Sequence, residues 1–253
     1  MKLIQYLIAG TIISTVIFAC TRTIEELPSL DTSHFPLETG KYKIYAVDSI
    51  VYNDFEERVD THSYFLKEEI GETEIDNLGK IYYRINRYMR FDSVGAPWVF
   101  DAVWAEQVVD QFAYRIENNQ RYISLVFPAK LDKGWDGLVY LRRDTTISIP
   151  GGSIDVYKDW DDFEIVGLDE QALIEGVNYD SVLTVLRVDK TNNIERRYSM
   201  EQYAKNIGLI LRRDSILDTQ CGGNITVQCI NSPWAEKAEK GFIVNQRLIE
   251  TNW

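Results

Sequence analysis

The chain has 253 residues, 45% hydrophobic and 12% aromatic, with 27 Lys and Arg against 39 Asp and Glu and a formal net charge of −12 at pH 7. That length suits one large β domain or two small ones. The acidic excess repels nucleic acid and anionic lipid surfaces, so neither is expected as a partner of the folded domain.

The first segment, MKLIQYLIAGTIISTVIFA, carries one charge at Lys2 and is then mostly apolar up to Ala19. A positive start, an apolar centre and a small residue at the end form a signal-peptide pattern. An uncleaved transmembrane anchor is the alternative, because a span needs about 17–25 apolar residues. Ala19 followed by Cys20 resembles the lipobox of bacterial lipoproteins, which implies cleavage before Cys20 and replacement of its thiol by a diacylglyceryl thioether. Ile17 and Phe18 depart from the usual residues of that motif. Three acyl chains, palmitate among them, would then tie the protein to a lipid bilayer, since anchorage grows by about 0.8 kcal/mol per buried CH₂. Loss of residues 1–19 removes Lys2 alone among the charged residues, leaving a formal charge of −13.

Residues 20–36 hold two prolines and no periodicity and are expected to form a lipidated tether. Glu25 and Glu26, soon after the cysteine, suit either a surface-export signal or a solvated spacer.

From residue 37 to 253 the pattern predicts a β domain. In KYKIYAVDSIVY (41–52), Tyr42, Ile44 and Ala46 alternate with Lys43, Tyr45 and Val47, a period of two rich in β-branched and aromatic residues. The same texture returns in SYFLKEEI, KIYYRINRYMRF, AVWAEQVV, FAYRIEN, RYISLVF, GLVYLRR, DSVLTVLRV, IERRYSM, LILRRDSI and GFIVNQRLIE. Tight turns are predicted at Asp76-Asn77-Leu78-Gly79, Glu117-Asn118-Asn119-Gln120 and Lys190-Thr191-Asn192-Asn193, where Asn and Gly tolerate positive φ. Gly40 is expected to ease the chain into the first strand, Gly134 and Gly137 to bracket Trp135 in a turn, and Gly208 to mark a bulge or bend. Two short helices are predicted, over DEQALIEG (169–176) and SPWAEKAEKG (232–241), the second capped by Ser232 and ended by Gly241. The fold class is therefore all-β: one antiparallel sheet curved into a half-barrel, barrel or sandwich, with few short helices.

Three phrases carry a resemblance: FPLETGKYKIYAVDSIVYNDF (35–55), LVFPAKLDKGWDG (125–137) and YSMEQYAKNIGLILRRDS (198–215). They resemble uncharacterised β-rich lipoproteins of Bacteroidota. The resemblance implies the fold class and an envelope location, on the outer membrane at its periplasmic side or the cell surface, and transfers no catalytic residue. Residues 218–241 read as an insertion before the last strand.

No motif dictates a chemistry. His34 falls in the tether and His62 beside a polar turn, so no base stands next to a nucleophile. Zinc spacing is missing. Asp159, Asp161, Asp162 and Glu164 gather carboxylates that calcium favours, but Phe163 occupies the third ligand position of the EF-hand order, and a solvated acidic turn is the plainer reading. No catalytic, cofactor-binding or metal residue is singled out. Trp98, Trp104, Trp135, Trp160 and Trp234 with fifteen tyrosines suit either a core or a surface for a glycan or apolar molecule. Cys221 and Cys229, in an oxidising compartment and separated by a loop that begins Gly222-Gly223, are expected to form a disulfide. Two functions follow from different classes: a binding or scaffolding lipoprotein that holds an apolar molecule, a glycan or an envelope protein on a concave sheet face, or a glycoside hydrolase with a carboxylate pair.

Overall fold

The computed structural model describes residues 30–91, 95–223 and 226–253, so the signal segment, Cys20 and most of the tether lie outside the described residues. The first half of the chain is a meander of β1 (Tyr42–Asn53), β2 (Arg58–Ile75), β3 (Ile81–Arg90), β4 (Val99–Val109), β5 (Phe112–Glu117) and β6 (Gln120–Val126). A long excursion follows, with the two-residue β7 (Gly134–Trp135) and a separate hairpin of β8 (Thr146–Ile149) and β9 (Gly152–Asp155). The second half is another meander, of β10 (Phe163–Ile174), β11 (Val177–Thr191), β12 (Glu195–Ala204), β13 (Gly208–Asp218) and β14 (Lys240–Thr251).

The twelve strands other than β8 and β9 form one antiparallel sheet in the order β6-β5-β4-β3-β2-β1-β14-β13-β12-β11-β10-β7. Pairing of β1 with β14 joins the two meanders in mid-sheet. The edges then approach each other: the Ile123 N–H donates to the Gly137 carbonyl at 3.0 Å, and the Trp135 indole N–H to the Ile123 carbonyl at 2.8 Å. The sheet is thus nearly closed into a barrel, which protects edges that would otherwise offer unpaired backbone groups.

Register decides which side chains point inward. Lys43, Tyr45 and Val47 share one face, opposite Glu68, Leu66 and Tyr64 of β2, and continue to Leu248 and Gln246 of β14. Tyr45, Leu66 and Leu248 are fully or almost fully buried. A twelve-stranded barrel encloses more space than the eight-stranded size that side chains alone fill. Part of that space is taken by the excursion, whose Ile154, Tyr157 and Trp160 join Leu125, Val185 and Ile216 in one apolar cluster. Gly137 permits a close approach there, since a Cβ at this position would stand 2.2 Å from the Phe163 ring.

Several local expectations are corrected. GLVYLRR, at 137–143, is a run of turns, with Leu138 buried but Val139 and Tyr140 exposed. DEQALIEG is no helix: residues 169–174 belong to the irregular strand β10, and Glu175 and Gly176 turn it into β11 with positive φ. Three register shifts in that pair account for its poor alternation. Of SPWAEKAEKG only Trp234–Lys237 is helical (α2), and Ser232 closes the preceding helix α1 (Val227–Asn231) instead of opening the next. Gly241 sits inside β14 at φ 125°, where a Cβ would lie 2.0 Å from the Ile216 carbonyl oxygen. Gly134 and Trp135 make a short strand, not a turn. Residues 31–36 are packed onto the domain: Phe35 is buried, the Asn206 N–H donates to the Ser33 carbonyl at 2.7 Å, and His34 Nε2 bonds the Ser181 carbonyl oxygen at 3.0 Å.

Candidate functional site

Two arrangements stand out, one inside the barrel and one outside. Inside, long charged side chains from both meanders meet. Arg115 of β5 reaches Glu68 of β2 at 2.7 Å, across two intervening strands, and its Nε lies 3.2 Å from both Glu106 and Glu117. Arg212 of β13 reaches Glu117 at 3.2 Å and Asp214 at 2.8 Å. Because β5 and β13 are far apart in the sheet order, that bond crosses the lumen. Arg187 of β11 pairs with Glu201 at 3.0 Å and packs among Tyr122, Trp160 and Phe163. Arg87 lies 3.4 Å from Glu68 and covers the Trp104 ring at 3.4 Å.

The belt is balanced: Lys43, Arg87, Arg115, Arg187 and Arg212 face Glu68, Glu106, Glu117, Glu201 and Asp214. Burial raises the Glu106 carboxyl above its usual range and lowers the Lys43 ammonium. Burial also raises Glu117, but Arg212, Arg115, Arg187 and Arg87 outweigh it and hold the group at about 2. A raised acid beside an ionised carboxylate resembles a hydrolase pair in its electrostatics. Access is what it lacks. The cavity at these residues, between Phe35, Pro36, Lys43, Glu106, Arg115 and Tyr203, measures about 10 Å³, room for a single water. Buried ions that satisfy one another serve fold specificity at best, and replacing them together is often neutral for stability.

Outside, the opposite face of β1–β4 carries a ladder of rings and cations. Lys67 pairs with Tyr88, and Tyr88 with Phe100, in one cross-strand row, while Phe65 pairs with Arg90 in the next. The Lys67 ammonium stands 5.0 Å from the Tyr42 ring and 5.9 Å from Tyr88, and the Arg90 guanidinium 5.0 Å from Phe65 and 4.6 Å from Trp98. Tyr88 and Phe100 meet edge to face at 6.0 Å. On this face Phe100 is 58% exposed and Val103, paired with Asn86, is 42% exposed, whereas Val99 pairs with Met89 and Phe91 meets Tyr64 at 5.9 Å on the other face. The ladder lies on the outer side of a nearly closed sheet, away from the concave kind of pocket that small ligands occupy.

The residues singled out from sequence scatter. Trp104, Trp135 and Trp160 are core, Trp234 lies in α2 under Lys237, and Trp98 alone of the five joins the outer ladder. His62 is exposed on β2. Lys190 reaches Asp161 at 2.5 Å, and among the described residues no group of His, Cys, Asp and Glu could hold a metal ion. Cys221 and Cys229 are joined in a disulfide. Its loop borders a rim groove of about 440 Å³ between Tyr52, Arg58 and Glu239. Sequence reasoning missed the lumen belt, whose residues read as ordinary solvent-facing alternates, and the ladder, whose cations lie on neighbouring strands.

No protein-family model matches the chain, and no curated protein sequence matches it. Among solved structures the chain is similar to a predicted lipoprotein from Parabacteroides distasonis, 9% identical over 87% of this chain and 98% of that one, with a TM-score of 0.43. It is also similar to a predicted exported protein with a YmcC-like fold from Bacteroides fragilis, 11% identical over 87% and 98% of the two chains, with a TM-score of 0.37.

Proposed function

We propose that the chain is a lipid-anchored protein of the bacterial outer membrane, of binding or scaffolding type, and that its partner, an envelope protein, docks on the outer face of β1–β4. The ladder of Tyr42, Phe65, Lys67, Tyr88, Arg90, Trp98 and Phe100 carries this reading. Aromatic residues and Arg are the types that dominate interface energetics, and here they lie on one sheet face that also exposes Phe100 and Val103. Lys67 is paired with Glu69 at 2.6 Å, and Arg90 offers its guanidinium between Phe65 and Trp98, which suits a partner that presents an acidic group beside apolar ones. The signal pattern ending at Cys20 and a disulfide, at home outside the cytoplasm, support the address.

The concave face is a poor host for an apolar molecule or glycan, because ion pairs and the 127–162 excursion occupy it. The same filling removes support from the carboxylate-pair hydrolase. Two experiments test the proposal. Cys20→Ser should accumulate as an unprocessed precursor, while the parent begins at an acylated Cys20 by mass spectrometry; normal processing of the variant would sink the anchor. A photo-crosslinking residue at position 100 should give one discrete adduct in cells, with none from position 55, and Arg90→Ala with Trp98→Ala should abolish it. Equal adducts at both positions, or none at position 100, would reject the docking face; retention on a glycan array that depends on Trp98 would assign the face to a saccharide instead.

A further inference from the structure

The β2–β3 hairpin runs past the start of β1. Tyr42, the first residue of β1, pairs with Glu69, yet β2 continues to Ile75 with β3 as its partner. Its tip exposes Ile75, Leu78 and Ile81, at 72%, 81% and 56%, and Ile75 and Ile81 face each other across the two strands. The turn itself is rigidly built: the Asp76 carboxylate accepts the N–H groups of Leu78 and Lys80 at 2.9 and 2.8 Å. Such a turn has no internal use for an apolar tip. Clustered exposed aliphatics mark an interaction site.

The N-terminal segment reaches the domain at this same end. Gly40 N–H donates to the Ile70 carbonyl at 2.8 Å, and the Thr39 hydroxyl to the Gly71 carbonyl at 3.0 Å. Asp31 pairs with Lys205, in the β12–β13 turn, at 3.0 Å. The Gly208 that ends this turn lies against Lys43, at the start of β1.

We propose that the hairpin tip docks into the surface of the bilayer that holds the lipid on Cys20, an inference that rests on the lipid-anchored reading. From Cys20 to Asp31 the chain spans at most about 40 Å, and β1 alone is about 40 Å long. Within that reach the hairpin end, where the chain enters the domain, meets the membrane on a slack tether, whereas the opposite end, with Phe55 and the disulfide loop, could do so only with the tether drawn nearly straight. Side chains behind the tip suit the headgroup layer. Tyr82 and Tyr83 are half-buried on β3, and Trp253 lies under Lys41; amphipathic rings and long cations favour that depth. Glu72, Glu74 and Asp76 against Lys80 and Arg84 leave the hairpin slightly acidic, so the surface it fits is zwitterionic, not anionic.

The test uses the full lipidated chain in vesicles of phosphatidylethanolamine and phosphatidylcholine. A fluorophore is placed on Leu78→Cys or, separately, on Phe55→Cys, both sites being highly exposed in the protein itself. Brominated acyl chains are expected to quench the Leu78 label several-fold more than the Phe55 label, and Ile75→Asp with Ile81→Asp should remove the difference while the chain stays on the vesicles. Equal quenching, or none at Leu78 with the chain vesicle-bound, would overturn the inference and leave the anchor standing. A chain that fails to stay on the vesicles would overturn the anchor and the inference with it. A Leu78 label shielded from bromine but cross-linking to another copy would assign the tip to self-association instead.

Discussion

The Trp135 indole N–H donates to the Ile123 carbonyl at 2.8 Å, joining the two edge strands that a barrel of this order must bring together. Trp135 also packs edge to face on Phe163 at 6.0 Å. Trp135→Phe, which keeps the ring contact and loses the bond, should lower stability by about 1 kcal/mol, and Trp135→Ala by about 3–5 kcal/mol. Gly137→Ala should cost about 1–3 kcal/mol by forcing the Phe163 ring aside. Urea unfolding midpoints at constant slope check all three.

Arg115 lies buried against three carboxylates at once, so its removal differs in kind from loss of a surface pair. Arg115→Met leaves Glu68, Glu106 and Glu117 facing one another and should destabilise by about 3–5 kcal/mol, whereas adding Glu68→Gln and Glu106→Gln should recover part of that loss. A triple variant no more stable than Arg115→Met alone would show that the carboxylates do not depend on this guanidinium.

The belt also sets an acid response. Glu117 titrates near 2 in the folded protein against an ordinary 4.5, so its contribution is fully present above about 4.5 and is lost as pH falls toward 2. It amounts to about 3 kcal/mol. Glu106 works oppositely: its raised pKa means that the ionised form is disfavoured in the fold, a penalty present above that pKa and relieved as pH falls. Glu117→Gln should therefore flatten the stability profile between pH 4.5 and 2, while Glu106→Gln should leave that window's slope in place. Chemical denaturation at half-unit pH steps reads both.

Much of the fold is legible in the residues, and the reasons are local. Asn118 and Asn119 take up positive φ between β5 and β6 as their pairing predicts, and Gly79 does the same between β2 and β3. Alternation in KYKIYAVDSIVY gave the strand but not its faces, because Lys43 shares the inward face with Tyr45 and Val47. A charged inward residue is allowed because opposite charge meets it from other strands, Glu68 directly across on β2 and Glu106 on β4, and such partners are invisible to a period-two pattern within one strand. β10 was hidden for a related reason: with three register shifts its alternation is broken, and a short helical pattern over 169–176 fits better until β11 supplies the hydrogen bonds. The outer ladder depends on which strands neighbour each other, so Trp98 could be noted as a candidate while Arg90 and Lys67 could not.

The disulfide closes a short loop at the rim, and the adjoining chain is fastened by Glu239, whose carboxylate accepts the N–H groups of Gln220 and Gly222. Reduction should cost about 2.5 kcal/mol by the loop-entropy estimate. Labelling of unfolded, unreduced protein should find neither Cys221 nor Cys229 free; full labelling of both would contradict the bond.

The central claim is that recognition belongs to the outer face of β1–β4 and that the charged lumen is structural. One comparison tests it directly: the in-cell adduct from a photo-crosslinking residue at position 100, and the unfolding midpoint, measured together for Arg90→Ala with Trp98→Ala and for Glu106→Gln. The outer pair should abolish the adduct while changing stability by only about 0.5–1 kcal/mol per lost cation–ring contact. Glu106→Gln should shift the midpoint and leave the adduct intact. Loss of the adduct with Glu106→Gln in a folded protein, and its persistence in the outer variant, would contradict the account.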